Sequence, residues 1–397
     1  MSTQALAGIK VLDLSRVLAG PSCTQHLADL GAEVIKIERP EVGDETRTWA
    51  PPCFADGTSA YFAGVNRNKR SVTVDLSTPE GQDLIKQLIV EADVLMENYK
   101  VGGLQKYGLD YAQVQALNPR LIYCSLTGFG QTGPDAKKPG YDYIIQGMSG
   151  LMSITGPSDG LPFKVGVAVV DLFTGLQATV GIQAALIERA SSGLGQWIDV
   201  SLLDCAVNML ANVGMNYLAT GEVPPRLGNA HPNIVPYQVF ETGLDQHLIL
   251  ACGNNQQFAA VAAALGHPEW ASDVRFATNP DRVLHRDALI ELMVPCFMGK
   301  GRDEWLSLLE AANVPCGPIN NVAEAFAMPQ VRAREMSVSL TESERAMTVI
   351  GNPLKLSRTP VQYHSLPPQL GQHTQEVLKE MGISDELIVQ LKDKKII

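Results

Sequence analysis

Residues 9–37 read IKVLDLSRVLAGPSCTQHLADLGAEVIKI. Ile9–Leu14 is a short apolar run suited to a strand. Ala19-Gly20-Pro21 breaks it, and Thr24–Leu30 carries helical spacing up to Gly31. Glu33–Ile37 then alternates, which reads as a second strand. Strand, turn, helix and strand in that order are the grammar of a parallel α/β sheet.

The grammar continues downstream. Ser71–Leu76 reads as a strand. Thr78–Ala92 reads as a helix, with Thr78 as its cap and Pro79 at its first position. Val94–Glu97, Leu121–Leu126 and Trp197–Ser201 read as further strands. Tyr111–Leu117, Asp142–Met152 and Leu202–Leu218 read as helices. Residues 220–236 are punctuated by proline and glycine and read as a linker. Beyond it come two strands, Tyr237–Glu241 and His247–Cys252, and helices near 256–265, 284–298 and 303–312. Residues 319–360 are mixed, and two helices, Thr374–Met381 and Ser384–Lys392, end the pattern. The first turn lacks G-x-G-x-x-G, and no G-x-x-x-x-G-K-[ST] occurs, so the sheet carries neither usual nucleotide loop there.

The chain has 397 residues, 45% of them hydrophobic, with a formal charge of −11. That balance argues against a nucleic-acid partner, because phosphate binding needs clustered lysine and arginine. No apolar stretch reaches eighteen residues, so no membrane partner is expected, and 172–187 reads as a buried helix. Residues 1–10 lack the pattern of a signal peptide. The seven cysteines include no C-x-x-C, which points to a reducing, cytoplasmic setting. Histidines are scattered without metal spacing, so no metal is expected.

Several segments invite chemistry. Gly128-Phe129-Gly130-Gln131-Thr132-Gly133-Pro134 follows a strand, where glycines let a ligand approach the backbone. Gly253-Asn254-Asn255-Gln256-Gln257 places four carboxamides at a helix start, a neutral donor–acceptor set suited to a lid over a carboxylate or thioester. Arg16, Arg39, Lys69, Arg70, Lys106, Lys137 and Lys138 stand near strand ends and together could frame phosphates within an acidic protein.

The sharpest candidate is Asp171. Val165–Val170 is a β-branched run suited to a buried strand or a tight extended segment, and Leu172 to Ile187 recur at helical spacing. Asp171 therefore falls near a helix N-terminus, where free N–H groups and the helix dipole hold a carboxylate ionised. It reads either as an N-cap or as a carboxylate placed for nucleophilic attack. No Ser–His–Asp elbow or Cys–His pair competes with it.

The ordered set of motifs resembles the class III coenzyme A transferases, the CaiB–BaiF family, over nearly the whole chain. The matching stretches include Leu6–Asp13, Ala19-Gly20-Pro21, Leu30–Glu38, Asn68-Lys69-Arg70-Ser71, Glu97-Asn98-Tyr99 and Gly128-Phe129-Gly130. They continue with Pro139-Gly140-Tyr141-Asp142, Val165-Gly166, Asp171-Leu172-Phe173-Thr174-Gly175 and Leu370-Gly371-Gln372-His373-Thr374. The resemblance implies an α/β fold with a Rossmann-like parallel sheet. It implies a discontinuous large domain, 1–222 completed by 328–397, a smaller α/β domain at 223–327, and an interlocked homodimer.

The resemblance also implies roles. Asp171 is the catalytic aspartate, passing through a mixed anhydride and an aspartyl-CoA thioester. Val17, Leu18, Arg39, Val74, Asn98, Tyr99 and Lys106 contact coenzyme A, a substrate that needs no metal or nucleotide. Tyr141, Gly253, Asn254, Asn255 and Gln256 face the substrate. Formyl-CoA transferases carry a polyglycine loop where this chain has the carboxamides, which argues against oxalate. Racemases of the same family have histidine where Tyr141 stands, and tyrosine is a poor proton shuttle near neutral pH. Val314–Asn321 and Gly253–Phe258 look most like the succinate–hydroxymethylglutarate branch. The expected reaction moves coenzyme A from succinyl-CoA to a dicarboxylate such as glutarate. The alternatives are a racemase-type isomerase and an acyl-CoA binding protein without turnover.

Overall fold

The computed structural model describes residues 4–397. The chain divides into two compact units. The larger takes the chain up to Ser149, Val165–Met209 and Pro329–Ile397, and the smaller takes Gly150–Lys164 and Leu210–Met328.

The larger unit is built on six parallel strands: β1 (Lys10–Asp13), β2 (Glu33–Glu38), β3 (Lys69–Thr73), β4 (Val94–Glu97), β5 (Ile122–Thr127) and β6 (Trp197–Ser201). Their order is β3-β2-β1-β4-β5-β6, and every pairing is parallel. β4 and β5 are covered on both faces and read as near-continuous buried runs rather than alternating ones. β4 (Val-Leu-Met-Glu) is buried at every position. The helix α1 (Ala19–Asp29) links β1 to β2, and α2 (Pro79–Glu91) links β3 to β4. The Thr78 hydroxyl accepts the Gly81 N–H, as the Thr-Pro start predicts. Between β5 and β6 lie α3 (Asp142–Met148) and α4 (Val169–Ser192), and α5 (Leu202–Asn208) follows β6. The strand order reverses between β1 and β4. At such a switch point the loops beyond the strand C-termini diverge and leave a crevice.

Four local readings are corrected. Ala19-Gly20-Pro21 are not a break ahead of a helix starting at Thr24; they form the first turn of α1, where the missing proline N–H costs no intrahelical bond. Val165–Val170 forms no strand, and its last two residues open α4. The single helix expected over Leu202–Leu218 is interrupted. Ala211 adopts φ 47°, and a separate helix, Ala211–Thr220, belongs to the smaller unit. Nor is α4 buried all round. Its Gly175, Ala178 and Ile182 face the core, while Leu172, Leu176, Val180 and Ile187 are exposed.

Residues 329–397 are integral to the larger unit. A hairpin, Ser337–Glu342 with Arg345–Ile350, appears in the stretch that reads as mixed. Arg67 donates to the Ile350 carbonyl and to both Asp29 oxygens. The helix Thr374–Glu380 packs on β3, where the Thr374 hydroxyl accepts the Thr73 N–H at 3.0 Å.

The smaller unit holds a three-stranded antiparallel sheet, Tyr237–Thr242, Gln246–Ala251 and Cys316–Pro318. Its core gathers Phe240, Phe258, Phe276, Phe297 and Trp305. Arg282 is fully buried there and donates to the Val235 and Phe276 carbonyls.

Candidate active site

The β1–α1 loop is fixed from below by buried charge. Lys36 Nζ lies 3.0 Å from Asp44 and donates to the Ser15 carbonyl at 2.8 Å. Lys69 Nζ donates to Asp13, to the Pro21 carbonyl and to the Asn66 side chain. Asp13 in turn accepts from the Ser15 N–H and the Thr24 hydroxyl. All four charged side chains are excluded from solvent, so each needs its partners. Burial lowers the Lys69 ammonium to about 8 even though Asp13 opposes the shift. Lys69 therefore frames no phosphate; it props the loop. Arg70 is also diverted, to Glu33, Glu376 and Glu380, and Lys138 pairs with Asp135.

The loop itself is held in an unusual conformation. Val17 adopts φ 72°, which a β-branched residue reaches only under constraint. Its N–H points at both Asp44 oxygens, each 3.3 Å away. Asn98, just past β4, accepts the Arg16 N–H at 3.0 Å and donates to the Arg16 carbonyl at 2.7 Å. The two sides of the switch point are thereby stitched together.

Above this loop lies a cavity of ≈ 160 Å³. Val17, Leu18, Asn98, Tyr141 and Asp171 all line it, so the sequence brings five of its candidates to one place. Arg39, Val74 and Tyr99 line an adjoining cavity of ≈ 410 Å³. The ion-paired Arg16 and Glu45 border both. Lys106 lines neither. It is exposed, with Nζ 4.5 Å from the centre of the Tyr107 ring.

Asp171 is not the cap of its helix. Ala168 occupies that position, and Asp171 is the third residue of α4. The first-turn N–H groups of Val170 and Asp171 go to one oxygen of Asp142, at 2.8 and 3.2 Å. Those groups are therefore not free to stabilise an oxyanion. Nor does the helix start keep Asp171 strongly acidic. Burial first, and the Asp142 charge second, push its carboxyl up to about 7.

Close backbone approach positions these groups. A Cβ on Gly140 would stand 2.5 Å from the Gly128 Cα, and one on Gly128 would stand 2.6 Å from the Gly140 Cα. The glycine-rich loop after β5 thus lets two backbones cross and carries Tyr141 and Asp142 toward α4. Gly128 to Gly133 have dinucleotide-loop spacing, yet they open no helix. A Cβ on Gly175 would likewise meet the Ala19 carbonyl at 2.5 Å, so glycine permits the close packing of α4 on α1.

Sequence reasoning missed Tyr61. It sits on the short helix Ala60–Ala63, edge-on to Trp49 with ring centres 5.0 Å apart. Burial first, then the charges of Asp171, Asp142 and Asp44, push its phenol up to about 12, so it stays protonated. No motif marked it; only the fold brings residue 61 near residue 171.

The carboxamide segment belongs to the smaller unit. Asn254 caps the helix Asn255–Ala264 by accepting the Gln257 N–H at 2.9 Å, and Gln257 accepts the Gly253 N–H at 2.7 Å. Asn255 accepts from Arg282 at 3.0 Å, and Gln256 is exposed. Three of the four carboxamides are thus engaged in building the segment.

The chain resembles known proteins over nearly its whole length. Residues 6–374 match the model of CoA-transferase family III. A succinate–glutarate CoA-transferase of Agrobacterium fabrum is 51% identical over 95% of this chain and 95% of its own. A human succinyl-CoA:glutarate CoA-transferase is 44% identical, covering 95% of this chain and 86% of its own. A crystal structure of a CaiB/BaiF family protein from Brucella suis superposes with a TM-score of 0.84 at 49% identity. That match covers 96% of this chain and all of the other.

Proposed function

The chain belongs to CoA-transferase family III, and from that premise we propose that it moves coenzyme A from succinyl-CoA to glutarate, with Asp171 as the nucleophile. The observation that carries the reading is the placement of Asp171. Its carboxylate lines the same cavity as Val17, Leu18 and Asn98, at the switch point of the sheet. The succinyl-CoA and glutarate named for the relatives supply the substrate pair.

The chemistry is an exchange of activated carboxyls. The Asp171 carboxylate attacks the succinyl-CoA carbonyl, the C–S bond breaks, and coenzyme A leaves as thiolate from a mixed anhydride. The thiolate attacks the Asp171 carbonyl of that anhydride, succinate leaves, and an aspartyl-CoA thioester remains. Glutarate attacks this thioester and again expels the thiolate, giving a second anhydride. The thiolate then attacks the glutaryl carbonyl, releasing glutaryl-CoA and restoring Asp171. The proton balance is zero throughout. Arg39, Val74 and Tyr99 hold the nucleotide end of coenzyme A in the adjoining cavity, with Lys106 at its margin. Tyr141, which lines the same cavity as Asp171, selects the acid.

The working unit is an interlocked homodimer in the cytoplasm. The exposed Leu172, Leu176, Val180 and Ile187 along α4 support a covering partner copy. Intact mass spectrometry after incubation with succinyl-CoA tests the mechanism. A hydroxylamine-labile adduct should form on wild type and be absent from Asp171→Ala; equal yields in the two proteins would sink it. A panel of acceptors tests the substrate, and preference for monocarboxylates over glutarate would overturn that part.

A further inference from the structure

Asp142 opens α3, two residues after the Gly128–Gly140 crossing. One carboxylate oxygen accepts the N–H groups of Val170 and Asp171. The other accepts Gln146 Nε2 at 2.6 Å, from one turn further along α3. The Gln146 carbonyl oxygen accepts the Val165 N–H at 2.9 Å. One acid and one amide on α3, both buried, therefore hold the first turn of α4 and the segment leading into it.

We propose that Asp142 is the positioning residue of the nucleophile: it caps, from a different helix, the turn that carries Asp171, and it sets a second carboxylate beside that residue. This rests on Asp171 being the attacking group. The geometric consequence is direct, because a reacting oxygen misplaced by about 1 Å loses on the order of a hundredfold in rate. The electrostatic consequence concerns ionisation. A like charge at this distance disfavours the ionised form, and a more basic carboxylate is the stronger nucleophile once ionised. The other groups facing Asp171 do not offset that charge. Tyr61, from the helix Ala60–Ala63, has its phenol pushed up to about 12 and carries no charge. Across the cavity, Arg16 is paired to Glu45.

Two variants separate charge from geometry. Asp142→Asn keeps the shape and the oxygen that accepts from Val170 and Asp171, and it removes the charge. It also turns its amide nitrogen toward the Gln146 donor, a lost bond that Gln146→Leu shares. With 13C-labelled aspartate, and Asp171→Asn to assign the signal, the Asp171 carboxyl titration should move down by about one pH unit. The acid limb of adduct formation with succinyl-CoA should move with it. The high-pH rate should fall roughly three- to tenfold, with KM for succinyl-CoA unchanged. Gln146→Leu leaves the charge but frees its carboxylate; the rate should fall while the acid limb stays in place. An unmoved titration in Asp142→Asn overturns the electrostatic role, and a wild-type rate in Gln146→Leu overturns the positioning role. The titration needs no turnover. A wild-type protein that forms no adduct would sink the transferase mechanism and still leave this test readable.

Discussion

Both oxygens of Asp44 face the Val17 N–H from 3.3 Å, and Val17 is held there at φ 72°. The left-handed conformation costs an L-residue about 1–2 kcal/mol. It is repaid by the buried Lys36–Asp44 pair, which anchors the acceptor.

Asp44→Ala should therefore act twice. It strands Lys36 in the interior, an effect on the order of 3–5 kcal/mol in denaturant unfolding. It also frees the Val17 backbone, so KM for acyl-CoA should rise. Val17→Gly separates the two effects. Stability should stay within about 1 kcal/mol of wild type, because relief of strain offsets the added chain entropy. KM should still rise, since the side chain that lines the cavity is gone.

Gly140→Ala tests the backbone crossing. The added methyl meets the Gly128 Cα at 2.5 Å, and no flexible side chain is there to yield. The crossing must open, displacing Tyr141 and Asp142. Expected are a loss of about 1–3 kcal/mol in stability and a fall in kcat of roughly a hundredfold.

Asp171→Asn should stabilise the protein in alkaline solution. The Asp171 carboxyl titrates at about 7 in the fold against an ordinary 3.8. The unfolded chain therefore releases this proton first, and wild-type stability falls as pH rises between those values. Thermal melts of the two proteins should nearly coincide near pH 4. The variant should lead by about 1–3 kcal/mol above pH 8.

The adjoining cavity makes a distinction between two basic residues. Arg39 lines it and Lys106 does not. Arg39→Ala should raise KM for succinyl-CoA by roughly 10–100-fold, the worth of a charge-assisted bond to phosphate. Lys106→Ala should change it by less than about threefold, as expected of an exposed charge.

The sheet was legible because parallel strands buried on both faces are written as contiguous apolar runs, as in Val94–Glu97. Thr78-Pro79 marked its helix for an equally local reason. The start of α4 was legible to within one turn, at Asp171, but its capping was not. Val169 and Val170 favour extended chain locally, and the acid that caps their helix lies at position 142. The same holds for Lys36 and Lys69: no local pattern tells a lysine sealed against Asp44 or Asp13 from one in solvent. The candidate nucleophile was visible as a residue in a motif. Its state of ionisation was not, because burial and Asp142 set it, and neither is written beside residue 171.

Synthesis and assembly run in different orders in this chain. All six strands of the large sheet are in hand by Ser201, yet the Asp75 N–H just past β3 is satisfied by the carbonyl of Ile396, at 2.7 Å. On the ribosome that N–H lacks this partner while nearly two hundred further residues emerge. The smaller unit needs nothing beyond Met328, so it can close first. The fold that begins earliest is the one that finishes last.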